Sequence, residues 1–271
     1  MPTPETRPVI RIHGLWKSFN RTKVLRGIDL DLREGQTTVI LGPSGCGKSV
    51  LLKHLVGLLK PDRGEIWFGG MRLDKLDQQQ LGAVRQQIGF LFQQSALFDS
   101  LSVRENVAFP LREHAVVDEH EIDRRVHKVL RLVGLESSLE QMPADLSGGQ
   151  RKRVALARAI VLNPKIVLYD EPTTGLDPIR ADVINELILR LRRALGITGI
   201  VVTHDIASAT KVGDRFIMMN RGRVHMDGTP QQFRETADPV VRRFFAGEAS
   251  PEELAELADS GEDARPPRSS R

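Results

Sequence analysis

The chain has 271 residues, 40% of them hydrophobic, which suits one large domain or two small ones with a real core. No run approaches eighteen consecutive apolar residues, so nothing reads as a membrane span, and a net charge of +4 is too small an excess to single out nucleic acid as a partner over an ordinary solvated surface. The single cysteine, Cys46, excludes an intrachain disulfide and a cysteine metal cluster, and Met1–Pro8 has no apolar signal core, so a cytoplasmic location is expected.

In chain order, Val9–Ile12 and Ile28–Leu32 read as strands, and the β-branched run Thr37–Leu41 reads as a buried one. Gly42-Pro43-Ser44-Gly45-Cys46-Gly47-Lys48-Ser49 follows directly and opens a helical pattern, Ser49–Leu59, that ends near Lys60-Pro61. Strand, glycine loop and helix are the context that a phosphate-binding loop requires. Gly42, Gly45 and Gly47 let the backbone curl so that successive N–H groups point at phosphate oxygens, and the helix start adds a favourable dipole. Lys48 places a point charge on the β- and γ-phosphates, and the Ser49 hydroxyl is suited to ligate Mg²⁺. Cys46 fills a variable loop position, where alkylation is expected to block nucleotide binding sterically.

Gly64–Gly70 then reads as a strand and turn, and Ile88–Phe92 as a strand ending at Gln93. Residues 94–163 change texture and read as mostly helical, with segments near 102–113, 118–133 and 150–161. Within them Leu146-Ser147-Gly148-Gly149-Gln150 precedes a helix whose Val154, Ala157, Ile160 and Val161 are spaced as a buried face. Ser147 sits at the N-cap position. A plain capped helix and a second anion-binding helix start share that physics.

Strands return at Lys165–Tyr169, Thr198–Thr203 and Arg215–Met219, separated by helices near 179–195 and 205–212. The alternation predicts a mostly parallel sheet covered on both faces. Ile166–Tyr169 runs into two carboxylates, Asp170 and Glu171, a Walker B pattern. In open α/β sheets ligands sit beyond the C-terminal strand ends, so both carboxylates are expected beside the phosphate loop. Asp170 is read as holding Mg²⁺ through its water shell, and Glu171 as the general base that polarises the attacking water.

These motifs resemble, over about residues 9–235, the nucleotide-binding subunit of an ABC transporter. Gly42–Ser49 matches Walker A, Gln93 the Q-loop, Leu146–Gln150 the signature, Asp170 and Glu171 Walker B, Thr174–Asp177 the D-loop and His204 the H-loop, all in the family's order and without departure at a chemical position. The resemblance implies an α/β P-loop NTPase core of ABC type with an antiparallel β subdomain and an inserted α-helical subdomain. The expected division is residues 1–93 and 164–247 for the RecA-like core and β subdomain, and 94–163 for the helical signature subdomain. Residues 248–271 would be an acidic tail, disordered when unpartnered. It also implies a head-to-tail homodimer, with each ATP between one subunit's phosphate loop and the other's Ser147, Gly148, Gly149 and Gln150. Asp177 would link the two sites, His204 would contact the γ-phosphate, and Gln93 would reach Mg²⁺ and the water as the helical block rotates. Phe19 is the expected adenine-stacking aromatic, with Trp16 as its rival.

Two further segments, Phe92–His114 and Asp238–Gly247, resemble the ATPase of the Mla/MCE-type phospholipid transporters of bacterial envelopes. That resemblance implies a peripheral place at the cytoplasmic face of the inner membrane. Its partners would be an integral-membrane permease of the MlaE type, an MCE-domain protein and a small STAS-domain protein, with no nucleic acid. Leu97, Phe98 and Leu101 are the expected anchors for a permease helix. An importer ATPase for amino acids or another small solute would carry the same catalytic residues. A soluble ATPase acting on ribosomes or DNA would typically carry two cassettes, a long coiled coil or zinc cysteines, and none of these is in the sequence.

Overall fold

Two twelve-residue strands, β1 (Pro8–Phe19) and β2 (Thr22–Arg33), form an antiparallel pair that opens the fold. The computed structural model describes residues 8–114, 117–249, 251, 254 and 255. Residues to 230 form one compact unit and those from 231 a second. In the first, β3 (Thr37–Leu41) leads into α1 (Lys48–Leu55), followed by β4 (Arg63–Phe68), β5 (Met71–Arg72), α2 (Gln78–Arg85) and β6 (Ile88–Leu91). Helices α3 (Val103–His114), α4 (Glu119–Leu132) and α5 (Gly148–Ile160) come next. They precede β7 (Ile166–Asp170), α6 (Pro178–Leu195), β8 (Thr198–Val202), α7 (Ile206–Val212), β9 (Arg215–Asn220) and β10 (Arg223–Gly228).

One sheet is antiparallel, in the order β2-β1-β4-β5; the other runs β10-β9-β3-β8-β7-β6. In the second sheet every pairing is parallel except that of β10 with β9. All five residues of β3 and of β8 are buried. Because alternate strand residues face opposite sides, that pattern means a sheet covered on both faces, as the alternation predicts. One apolar cluster joins Ile12 and Leu30 of the antiparallel sheet, Leu51 and Leu55 of α1, Leu81 of α2, and Leu168 and Ile200 of the parallel sheet. The phosphate loop therefore springs from this cluster, which includes Ile40 before it and Leu51 after it.

Three helices fall where the sequence puts the helical block. In α4 the buried Ile122, Val126, Val129 and Leu130 trace one helical stripe. In α5 Ser147 caps the start reciprocally with Gln150. Helix α1 stops at Leu55, four residues before the predicted end. Gly57 takes φ +65°, its N–H bonds His54 O, and the Leu58 N–H bonds Lys53 O. This double closure by a left-handed glycine ends the helix. Among the described residues no helix is long and apolar enough to cross a membrane.

The second unit holds most of α8 (Pro230–Glu235) and α9 (Pro239–Ala246). Asp238 caps α9 by accepting from Val240 N at 2.8 Å and Val241 N at 3.1 Å. The Phe233 and Phe245 rings lie 6.1 Å apart, and those of Phe244 and Phe245 6.4 Å apart. The expected disordered tail falls, apart from residues 248, 249, 251, 254 and 255, outside the described residues.

Gly89 on β6 meets the backbone of α5: a Cβ there would sit 2.4 Å from Ala159 O. Backbone cannot rotate away as a side chain does, so Gly89→Ala is expected to destabilise the chain by about 1–3 kcal/mol, measured by denaturant unfolding.

Candidate active site

The phosphate loop leaves the C-terminal end of β3 and re-enters regular structure at Lys48. Gly42 has φ +146° and sits so close to β9 that a Cβ would lie 2.2 Å from Met219 O. Gly47, the residue before α1, has φ +106°, and a Cβ there would lie 2.8 Å from Leu25 Cδ2 and 3.2 Å from Val24 O. Both positions need glycine for conformation and for space. The Lys48 ammonium is buried against the loop and donates to Gly42 O at 2.7 Å and Pro43 O at 3.0 Å.

The second carboxylate strand delivers its end to the same place. Ser49 Oγ donates to Asp170 Oδ1 at 3.4 Å, which brings Walker A and Walker B together across 121 residues of sequence. A hydroxyl and a carboxylate are hard oxygen donors that suit Mg²⁺. Among the described residues no three His, Cys, Asp or Glu side chains converge on a metal site, so nucleotide oxygens and water have to complete such a shell. Burial raises the Asp170 pKa and the Glu171 charge adds to this; the Ser49 hydrogen bond and the Lys48 and Lys53 charges oppose it.

Glu171 is the most constrained residue of the site. It is buried, yet has φ +50°, a left-handed conformation that costs a non-glycine residue about 1–3 kcal/mol. Its N–H donates to Val202 O at 2.9 Å, tying the turn to β8. Oε2 accepts from Thr174 Oγ1 at 3.1 Å and Thr203 Oγ1 at 3.4 Å, and His204 Nδ1 lies 2.9 Å away. The His204 side chain is 62% exposed, so one ring edge faces the carboxylate and the rest stays open to a ligand. A buried carboxylate beside an exposed imidazole has the geometry of a base with an orienting partner.

Behind this pair Asp205 caps α7 through Ala207 N and Ser208 N, and accepts from Ser208 Oγ at 2.6 Å. Asn185 Nδ2 donates to the same Ser208 hydroxyl at 2.8 Å. These groups stiffen the segment carrying His204. The sequence reading misses them, together with Thr203 and Lys152, and names Thr174 only within the D-loop, without its bond to Glu171. The buried Lys152 ammonium donates to Gln93 O at 2.6 Å and Glu171 O at 3.2 Å. Its one legible sign is a lysine three and four residues before the buried Ala155 and Leu156, on the side of α5 away from the Val154–Ala157 face.

Gln93 lies just past β6 and reaches the Glu171 turn through its carbonyl and Lys152, while its own residue is exposed. Phe19, at the end of β1, is 42% exposed, with Lys17 Nζ 5.6 Å from its ring centroid. Trp16 is half-buried and covers Gly27, so Phe19 has the more open ring of the two. Ser147, Gly148, Gly149 and Gln150 form a second helix start, with Ser147 exposed and Gly149 buried: Gln150 N donates to Ser147 Oγ at 3.3 Å, and Ser147 N to Gln150 Oε1 at 2.9 Å. Within the chain this turn packs beside the start of α6. A Cβ on Gly149 would lie 3.7 Å from Arg180, and Asp177 caps α6 through Arg180 N at 2.9 Å.

A glycine loop at a strand end, a paired hydroxyl and carboxylate, and a supported glutamate define a P-loop nucleotide hydrolase. Residues 25–174 match the ABC transporter family profile. The chain is 42% identical to the "Probable ribonucleotide transport ATP-binding protein mkl" of Mycobacterium leprae (strain TN), over 88% of this chain and 69% of that one. It is 43% identical to the "Intermembrane phospholipid transport system ATP-binding protein MlaF" of Haemophilus influenzae, over 82% of this chain and 84% of that one. Among solved structures it is similar to the ATP-binding cassette MJ0796 in a dimeric post-hydrolysis state with ADP and Pi. The TM-score is 0.75 and the identity 35%, over 81% of this chain and 98% of that one. The chain belongs to the ABC transporter family, as an ATP-binding subunit whose ATP hydrolysis is coupled to transport. It spans about two thirds of the length of the mycobacterial relatives, 66% to 69%.

Cys46 is buried in the loop, and burial raises its thiol pKa against the opposing Lys48 charge. Less thiolate forms at a given pH, so iodoacetamide should modify Cys46 more slowly than free cysteine at pH 8 and speed up as pH rises past about 9. Mass spectrometry with a parallel nucleotide-binding assay checks this; the alkylated chain is expected not to bind ATP.

Proposed function

We propose that two copies of this chain close head to tail on two ATP molecules and drive a phospholipid transporter of the bacterial envelope. The observation that carries the substrate is the resemblance of residues 92–114 and 238–247 to Mla/MCE ATPases, supported by the match to MlaF along 84% of that protein's length. The name of the mycobacterial relative points to ribonucleotides instead. The catalytic residues would be shared by an importer ATPase, so the choice between substrates rests on those segments and not on the site.

In this reading Gly42–Ser49 wraps the phosphates with backbone N–H groups, and the Lys48 ammonium exchanges its loop carbonyls for β- and γ-phosphate oxygens. Ser49 and Asp170 would hold Mg²⁺, which supplies charge neutralisation at the phosphates when bound. Glu171 accepts the proton of the attacking water, and His204 holds the water and γ-phosphate in line. Ser147, Gly148, Gly149 and Gln150 complete the site of the other copy, with Asp177 at the seam between sites. Phe19 stacks on adenine. Gln93 links the site to the 94–163 block, which moves against the core formed by residues 1–93 and 164–247.

A cleft of about 340 Å³ lies where that block meets β6 and the end of α2, lined by Arg85, Phe90, Phe92, Phe98, Phe109 and Arg158 among others. The Phe98 and Phe109 rings are 4.8 Å apart and both are exposed. We assign this cleft to a cytoplasmic helix of the permease, at the inner membrane. The expected anchors Leu97 and Leu101 do not line it and are half-buried, so the anchoring falls to Phe98 and Phe109. An MCE-domain protein and a STAS-domain protein complete the proposed assembly.

Glu171→Gln is expected to bind ATP and to turn over at least about a hundredfold more slowly, the scale of a lost general base; near-normal turnover would overturn that role. Lys48→Ala should lose ATP binding and turnover together. Mixing Lys48→Ala and Ser147→Arg chains, each inactive alone, should restore activity through dimers with one intact composite site, and no restoration would argue against shared sites. Phe98→Asp with Phe109→Ser should abolish lipid transport in reconstituted vesicles while basal hydrolysis of the isolated subunit persists. Pull-down of Glu171→Gln chain from native membranes, with mass spectrometry, should recover a permease, an MCE protein and phospholipid; a solute-binding protein in their place would overturn the substrate.

A further inference from the structure

Helix α5 grips the segment after β6 at both of its ends. Lys152 Nζ donates to Gln93 O at 2.6 Å, and Arg158 donates to Ser95 O at 3.0 Å and Ala96 O at 2.7 Å. Ser95 and Ala96 have φ +63° and +47°, so this short stretch is held in a conformation that it would not keep alone. The segment is therefore tied to α5 at three carbonyls. Lys152 also has a second hold, on Glu171 O at 3.2 Å, the carbonyl of the residue whose own backbone is left-handed.

We propose that Lys152 is a positioning residue for hydrolysis: by clamping the Glu171 and Gln93 carbonyls to α5, it sets where the Glu171 carboxylate points. Its side chain is 5% exposed, so these bonds form in a low-dielectric setting where a charge-assisted hydrogen bond is strong. Burial lowers the Lys152 pKa, and the nearby Glu171 and Asp170 carboxylates oppose that shift. The ammonium is thus placed at a desolvation cost that its acceptors offset. Lys152 is four residues beyond Gly148 on the helix that begins at Ser147. A displacement of that helix start is carried along α5 to the glutamate turn of the same chain.

The proposal rests on Glu171 being the general base, and the test separates the two. Steady-state and single-turnover hydrolysis by the full-length chain with Mg·ATP are measured for Lys152→Met, Lys152→Gln, Glu171→Gln and the double variants. Lys152→Met should lower kcat by about 10- to 100-fold, the cost of misplacing a catalytic group by an ångström or so. KM for ATP should stay within about threefold, because the phosphate loop is untouched. In the Glu171→Gln background the same substitution should add less than about twofold, since a residue acting through Glu171 has nothing left to position. Lys152→Gln, which retains a donor, should recover part of the rate. An unchanged kcat in Lys152→Met, or an equal loss in both backgrounds, would overturn the positioning role. Should Lys152→Met fail to fold, Lys152→Gln is read by the same criterion: a loss that vanishes beside Glu171→Gln supports the role and an additive loss removes it. If Glu171→Gln itself is active, the base assignment fails and the Lys152 role fails with it. An inactive Glu171→Gln beside a fully active Lys152→Met removes only the latter.

Discussion

A single left-handed residue at the end of β7 is the constraint around which the site is arranged. Glu171 follows a strand buried on both faces, and no ordinary continuation would keep its carboxylate beside the phosphate loop. The turn is instead held from all sides: its N–H on Val202, its carbonyl on Lys152, and its carboxylate by Thr174, Thr203 and His204. Backbone strain of this kind persists only where the surroundings over-determine it. Here the surroundings come from β8, α5 and the His204 segment. The same contacts that stabilise the turn therefore report the positions of three elements to one carboxylate.

The parallel sheet was legible because its strands are buried on both faces. Thr37–Leu41 and Thr198–Val202 read as continuous apolar or β-branched runs, and no helical spacing competes with them. Helix α5 was legible from its cap, and the motifs named Ser49, Asp170, Glu171 and His204, which the fold brings into contact in two pairs. The lengths of β1 and β2 were not. Their register slips at several points, including around Gly14, where φ is +54°, so the alternation that marks a strand is interrupted. Strand β10, Arg223–Gly228, pairs with β9 alone and has no fully buried residue. Helix α2 carries a readable signal that the apolar pattern obscured: Asp77 and Gln80 form a reciprocal cap. Lys152 could not be found from spacing alone, since its partners are backbone carbonyls from two distant segments.

One wall of the cleft is held by side chains that bond backbone groups. Asn106 is fully buried, and its amide donates to the Phe98, Leu101 and Ser102 carbonyls while Oδ1 accepts from Phe98 N. Arg158 closes the other side through Ser95 and Ala96 and lies over the Phe98 ring at 5.6 Å. The exposed pair thus joins Phe109 of α3 to Phe98 on a loop whose Ser95, Ala96, Phe98 and Leu101 carbonyls are held by the Arg158 and Asn106 side chains. Because Arg158 belongs to α5, these hydrogen bonds tie the loop and its exposed ring directly to that helix.

The capping geometry of Ser147 has a chemical consequence of its own. A hydroxyl offers one hydrogen to give and two lone pairs to receive. Ser147 uses its oxygen as an acceptor for Gln150 N, which leaves its hydrogen free to rotate toward an incoming oxyanion. The cap is therefore complete within the chain, and the hydroxyl hydrogen is spared for a further acceptor. Aspartate would preserve the cap and remove the donor, alanine would remove both, and asparagine would keep both only on separate atoms, so the hydroxyl is the group that combines them on one oxygen.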